Sequence, residues 1–162
     1  ILLNARSTNP RRDWRPDQVT DLVSRIASEE AAHFILTAAP EHLAELEALL
    51  ESWPRSLRDR ALPFSAQSHF FELPALMSHA DLVISVETAP LHFAFALQKP
   101  LIALMRQKKP YWAPPRNGRS WVLQAPAAHG QVGDISVDAV FEAYREQRSR
   151  LRDSLPQTFC SS

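Results

Sequence analysis

A chain of 162 residues, 45% hydrophobic and 22% charged, is long enough for one domain with its own core and has the composition of a globular protein. Eighteen basic residues balance eighteen acidic ones, so no general affinity for nucleic acid is expected. The single cysteine, Cys160, excludes a disulfide framework and a cysteine-based metal site, and no run reaches the ~18 apolar residues of a membrane-spanning helix.

The chain opens at Ile1 without a methionine, inside an apolar run, and reads as a piece of a longer protein; no signal peptide is expected. Residues 1–4 (ILLN) are a short buried strand, and residues 5–14 a polar, basic loop. Val19, Leu22, Val23 and Ile26 recur at helical spacing within residues 15–29. A second strand (33–38) leads to a second helix (40–53), with Pro40 at its start and Leu43, Leu46, Leu49 and Leu50 on one face. A short strand at 61–64 and a helix of modest length at 70–80 follow. Residues 81–86 (DLVISV) form a strong strand, residues 90–97 a helix and residues 99–105 another strand. A long loop with three prolines, a last strand at 121–125 and an amphipathic helix over 136–155, capped by Ser136 or Asp138, complete the pattern. The tail 156–162 is expected to be disordered.

Strands alternate with helices, and the strands are continuous apolar runs. That is the signature of a parallel sheet buried on both faces, a doubly wound, Rossmann-like α/β domain. The first 117 residues hold no glycine, which excludes a Gly-rich phosphate loop there.

In such a fold ligands bind beyond the carboxyl ends of the strands. The turn after residues 81–86 carries Glu87, Thr88 and Ala89, and a helix starts near Pro90. Thr88 suits the N-cap. The free N–H groups of the first turn, with the helix dipole, favour an anion. His92 adds a donor toward a phosphate, and Glu87 an acceptor for sugar hydroxyls. A purely local role fits the same residues: a capping Thr88, a Glu87 that favours the helix start, and a surface or satisfied core His92.

The first loop holds Arg6, Arg11, Arg12 and Arg15 with Ser7 and Thr8, and the proline-rich loop holds Arg106, Lys108 and Lys109 at the same rim. Two basic strand-end loops beside that helix start, in a chain of zero net charge, point to a polyanionic ligand, naturally a diphosphate. Tyr111 and Trp112 suit either stacking on a base or packing of the loop.

Residues 80–105 (ADLVISVETAPLHFAFALQKPLIALM) resemble the signature of glycosyltransferase family nine, the heptosyltransferases of lipopolysaccharide core synthesis. There a strand ends in an Asp-Thr-Gly-type turn, followed by a His, an Ala-rich helix, a basic residue with Pro, and an apolar strand. Residues 2–26 are similar to the start of the family's donor domain, and residues 70–85 to the segment before the signature. The resemblance spans about residues 1–125. It implies the C-terminal half of a GT-B glycosyltransferase, with residues 1–155 as the nucleotide-sugar domain and the N-terminal acceptor domain outside this chain.

By the same resemblance the donor is ADP-heptose, and transfer inverts the anomeric centre without a metal or cofactor. The acceptor is a lipopolysaccharide core, reached through the N-terminal domain at the cytoplasmic, inner face of the membrane, where association is peripheral. Thr88, Ala89 and His92 would hold the diphosphate, with Arg11 or Arg12 as the basic ligand and Arg6, Ser7 and Lys108 as further loop contacts. Glu87 would stand near the donor sugar or ribose. The family's general base lies in the N-terminal domain, so this piece is expected to bind donor without catalysing transfer. Three positions depart from the pattern: Glu87 stands for Asp, Ala89 for Gly, and "MRQKKP" for a Gly-Pro-Thr-like turn. These departures leave room for a non-catalytic domain serving as an interaction module, or for a transferase of another nucleotide sugar. An epimerase of the same architecture would have only His92 with Glu87 as acid and base.

Overall fold

The computed structural model describes residues 1–106, 113–115 and 118–153. Six strands form one sheet: β1 (Leu2–Asn4), β2 (Phe34–Thr37), β3 (Ala61–Phe64), β4 (Val83–Val86), β5 (Leu101–Met105) and β6 (Ser120–Gln124). Their order is β3-β2-β1-β4-β5-β6, and every pairing is parallel. The expected doubly wound architecture is therefore present, wholly rather than mostly parallel.

The two faces follow from alternation along the strands. Leu3, Ile84, Val86, Ile102 and Leu104 point to one side, where α1 (Pro16–Glu29), α2 (Leu43–Glu51), the single turn α3 (Arg55–Arg58) and α6 (Val137–Asp153) cover them. Leu2, Val83, Leu101, Ala103 and Met105 point to the other, covered by α4 (Glu72–Ser78) and α5 (Ala89–Ala96). Both faces are buried at β1, β4 and β5, which is why these strands read as unbroken apolar runs, whereas Leu62 on the edge strand β3 is exposed.

Local chemistry sets several boundaries. Pro40 opens a 3-10 turn (Pro40–His42) before α2, so the second helix begins three residues later than Pro40 suggests. The α3 turn was not foreseen; it buries only Leu57. Ser136 caps α6, its Oγ accepting from the Ala139 N–H at 3.2 Å, which decides between the two expected caps. Helix α5 ends with Gln98 at φ 54°, the left-handed region. The Gln98 N–H donates to the Phe95 carbonyl at 3.0 Å and the Lys99 N–H to the Ala94 carbonyl at 2.9 Å, the paired bonds of a Schellman ending.

The C-terminal end of α1 is tied to α6 by a polar cluster. Glu30 accepts from the Tyr144 hydroxyl and from Arg148 Nη2 at 2.7 Å. Burial raises the Glu30 pKa, but the bonds from Tyr144 and Arg148 outweigh it and leave the group below the usual carboxylate value. Burial, then the bond to Glu30, pushes the Tyr144 hydroxyl up. Among the described residues no helix is long and apolar enough to cross a membrane.

Candidate functional site: a cleft at the strand switch point

Strand order reverses between β1 and β4, and the connections leave these neighbours toward opposite faces. A crevice opens there at the carboxyl ends, as the fold requires. It is a cleft of about 440 Å³, within the size range of small-ligand sites. A second void of about 100 Å³ lies behind Arg6 and Trp14 among Leu3, Val19 and Leu46; it is too small for a nucleotide.

The cleft has two characters. Asn4, Thr8, Arg12, Thr37, His42 and Thr88 are polar lining residues, while Ala38, Ala39, Pro40, Phe64, Ala66 and Leu73 are apolar ones. Asn4 closes β1 and is buried. Its Nδ2 donates to Thr88 Oγ1 at 2.8 Å and to Ser85 Oγ at 3.3 Å, and its Oδ1 accepts from Thr37 Oγ1 at 3.3 Å. One carboxamide thus links the ends of β2, β1 and β4.

The loop after β1 is held from below and within. The Trp14 N–H donates to the Ala5 carbonyl at 2.9 Å, and its buried indole donates to the Ile135 carbonyl at 3.0 Å. Asn9 Oδ1 accepts from the Arg11 N–H at 3.1 Å at the head of a 3-10 turn, Pro10–Arg12. Ser7 is engaged within the loop: its N–H donates to Asp13 Oδ1 at 2.7 Å and its Oγ to the Asn9 carbonyl at 2.8 Å.

The four arginines of this loop separate. Arg6 lines the cleft but is ion-paired to Glu45 at 2.7 Å and Asp13 at 3.4 Å. The first of these contacts holds the Glu45 carboxyl below its usual value. Arg11 is exposed and outside the cleft lining. Arg15 turns away to the Gly133 carbonyl at 2.8 Å and to Asp17. Arg12 lines the cleft, donates from Nη1 to the Glu87 carbonyl at 3.3 Å, and keeps a buried Nε without a hydrogen-bond partner. Among the described residues no carboxylate forms an ion pair with Arg12.

On the β4 side Thr88 occupies the N-cap of α5, but its side chain makes no capping bond, contrary to the sequence expectation. The Thr88 Oγ1 is held by Asn4 and donates to the Val86 carbonyl at 3.3 Å instead. The first turn of α5 therefore has no side-chain cap, a state compatible with an incoming anion. Ala89 lines the cleft as the first residue of that helix. His92 is exposed on the same turn and lies outside the cleft lining. Glu87 turns its carboxylate toward Arg106, 3.9 Å away, on the β5 side of the crevice. Lys108, Lys109, Tyr111, Trp112 and the tail lie outside the described residues.

A model of glycosyltransferase family 9 (heptosyltransferase) matches residues 1–132. The chain belongs to that family. Among solved structures, the E. coli ADP-heptose LPS heptosyltransferase II is similar at TM-score 0.79 and 15% identity, over 95% of this chain and 47% of that one. The family 9 glycosyl transferase of Veillonella parvula gives 0.75 at 15% identity, over 95% and 46%. The E. coli heptosyltransferase WaaC with ADP gives 0.71 at 17%, over 92% and 44%. At these identities the likeness shows the fold, the C-terminal half of a GT-B enzyme. The family 9 chain spans about half the length of these relatives. A search of curated proteins finds no match.

Sequence reasoning missed Asn4, Thr37 and the apolar wall. The available signal was the polar residue ending each of two apolar strands, "ILLN" and "FILT".

Proposed function

We propose that this chain is the donor-binding half of an inverting, metal-independent glycosyltransferase that moves heptose from ADP-heptose to a lipopolysaccharide core acceptor. The observation that carries this reading is the cleft at the switch point, lined by both apolar and polar residues. Its apolar residues suit a base, and Arg12 with the uncapped start of α5 suits a diphosphate. Two related structures are described as WaaC with ADP and with ADP-2-deoxy-2-fluoro heptose, which supports the same donor here.

In this reading Ala38, Ala39, Pro40, Phe64, Ala66 and Leu73 enclose the adenine. Thr88, the Ala89 N–H, Arg12 and the Ser7–Thr8 segment hold the diphosphate. His92 contributes from the rim, and Glu87, beside Arg106, faces the sugar. Arg6, already paired twice, shapes the loop.

The acceptor hydroxyl attacks the anomeric carbon from the face opposite the diphosphate. A carboxylate of the N-terminal half takes its proton. The bond between the anomeric carbon and the diphosphate oxygen breaks, and its electron pair leaves with ADP. Negative charge grows on that leaving group, where Arg12 and the α5 dipole are already oriented to receive it.

The test is transfer by the full-length protein from ADP-heptose to a lipopolysaccharide core acceptor with a chelator present, the product's anomeric configuration being read by NMR. An inverted product is expected. A retained configuration, or loss of transfer on chelation, would overturn the inverting or the metal-independent part; preference for another nucleotide sugar would overturn the donor.

A further inference from the structure

We infer that Asn4 is a positioning residue of the donor site: its buried carboxamide fixes the Thr88 hydroxyl as a hydrogen-bond donor toward the ligand. This rests on the donor-binding reading above.

The direction of each bond follows from proton count. The Ser85 hydroxyl donates to the Val86 carbonyl at 2.9 Å. Ser85 Oγ then has only lone pairs for Asn4, so the Asn4 amide must turn Nδ2, not Oδ1, toward β4. The Thr37 hydroxyl donating to Oδ1 at 3.3 Å agrees with that orientation. One Nδ2 proton meets Ser85, and the other lands on Thr88 Oγ1 at 2.8 Å. With a lone pair of Oγ1 taken by Asn4, the Thr88 proton is left for a different acceptor.

That proton is weakly engaged. It rests on the Val86 carbonyl at 3.3 Å, an acceptor already used by Ser85 at the shorter distance. A phosphate oxygen in the cleft is a charged and stronger acceptor. On binding, the Thr88 hydroxyl can exchange a long, shared bond for a charge-assisted one without breaking its bond to Asn4. Without Asn4 the hydroxyl regains its rotational freedom and its choice between donating and accepting. Asn4 itself need not touch the ligand.

The experiment is a double-mutant cycle on ADP and adenosine affinity in this chain, using Asn4→Leu, Thr88→Val and the pair. Each single substitution is expected to weaken ADP about tenfold, the scale of one hydrogen bond to a charged group. The pair should be no weaker than Thr88→Val alone, because Asn4 acts through Thr88. Adenosine affinity should stay within about twofold, since the base end is untouched. Asn4→Ser, which is too short to reach Thr88, serves if Asn4→Leu does not fold, with the same loss expected. Additive losses, or equal losses for adenosine and ADP, would overturn the positioning role. Absence of ADP binding by the unmodified chain would instead overturn the donor-binding reading, and this inference with it.

Discussion

Arg12 reaches across the crevice from the first loop to the main chain of Glu87, its Nη1 lying 3.3 Å from the carbonyl oxygen. The contact joins the loop after β1 to the turn after β4, the two segments that flank the switch point. A carbonyl only partly satisfies a guanidinium, and Nε is left buried without a partner. An anion seated between the two segments would complete the arginine's bonding, in the fork geometry that guanidinium offers to phosphate.

Arg12→Ala is therefore expected to weaken diphosphate binding by about tenfold to a hundredfold, the range for a lost charge-assisted bond at a partly buried site. Arg11→Ala, on the exposed side of the same 3-10 turn, should change it by less than about twofold. Calorimetric titration of the two variants with ADP compares them directly. Equal losses would mean that the loop acts as a diffuse positive field.

In the proposed site, Glu87 is the residue that distinguishes the sugar from the diphosphate. Glu87→Gln keeps the shape of the side chain and removes its charge. Binding of ADP-heptose should weaken about fivefold or more while ADP stays within about twofold, because only the sugar meets the side chain in the proposed site. Parallel titrations with both ligands measure the difference. An equal change for both would tie Glu87 to Arg106 alone.

Trp14 stands under the first loop, buried to 1% exposure. Trp14→Ala should cost about 3–5 kcal/mol of stability, the range for deleting a large buried aromatic. Trp14→Phe, which keeps most of the volume and loses the bond to the Ile135 carbonyl, should cost about 1–2 kcal/mol. Urea denaturation of the variants gives both numbers. Neutral outcomes would show that the loop is not anchored there.

Gln98 takes a left-handed backbone conformation that most side chains disfavour. Gln98→Gly should raise stability by about 1 kcal/mol, with the paired bonds that end α5 retained. Thermal denaturation tests this, and a lower midpoint would contradict it.

Glu30 gives the pH dependence a sign. Its folded pKa is lowered, so its contribution is present above the ordinary value of 4.5 and is lost as pH falls through the folded pKa. Glu30→Gln should cost about 1–3 kcal/mol near neutrality, the range for breaking a partly buried charge-assisted pair. The gap from the unmodified chain should close as pH falls below the ordinary value of 4.5 and through the lowered folded pKa. Thermal midpoints from neutral to acid pH follow it, and a gap independent of pH would mean that the ionised Glu30 does not stabilise the fold.

The fold was legible because both faces of β4 and β5 are buried, so "DLVISV" and "KPLIALM" read as interior strands. The crevice was legible too, since it follows from strand order and from where basic loops meet strand ends. Local polar bonding was harder to read. Thr88 has the residue type and place of an N-cap, but Asn4, 84 positions earlier, claims its oxygen. Arg11 and Arg12 are alike in sequence; the turn that Asn9 caps directs one outward and the other into the cleft. The short α3 has too few residues to show a period. The apolar wall joins loops after β2 and β3 to α4, and no single segment announces it.

The most direct test is calorimetric titration of this chain with ADP, UDP, GDP and adenosine. The account predicts saturable binding of ADP at one site, with adenosine weaker by about tenfold or more because it lacks the charge-assisted contacts. UDP and GDP should also bind less tightly than ADP. No nucleotide binding, or adenosine binding as tight as ADP, would contradict a diphosphate site at the switch point.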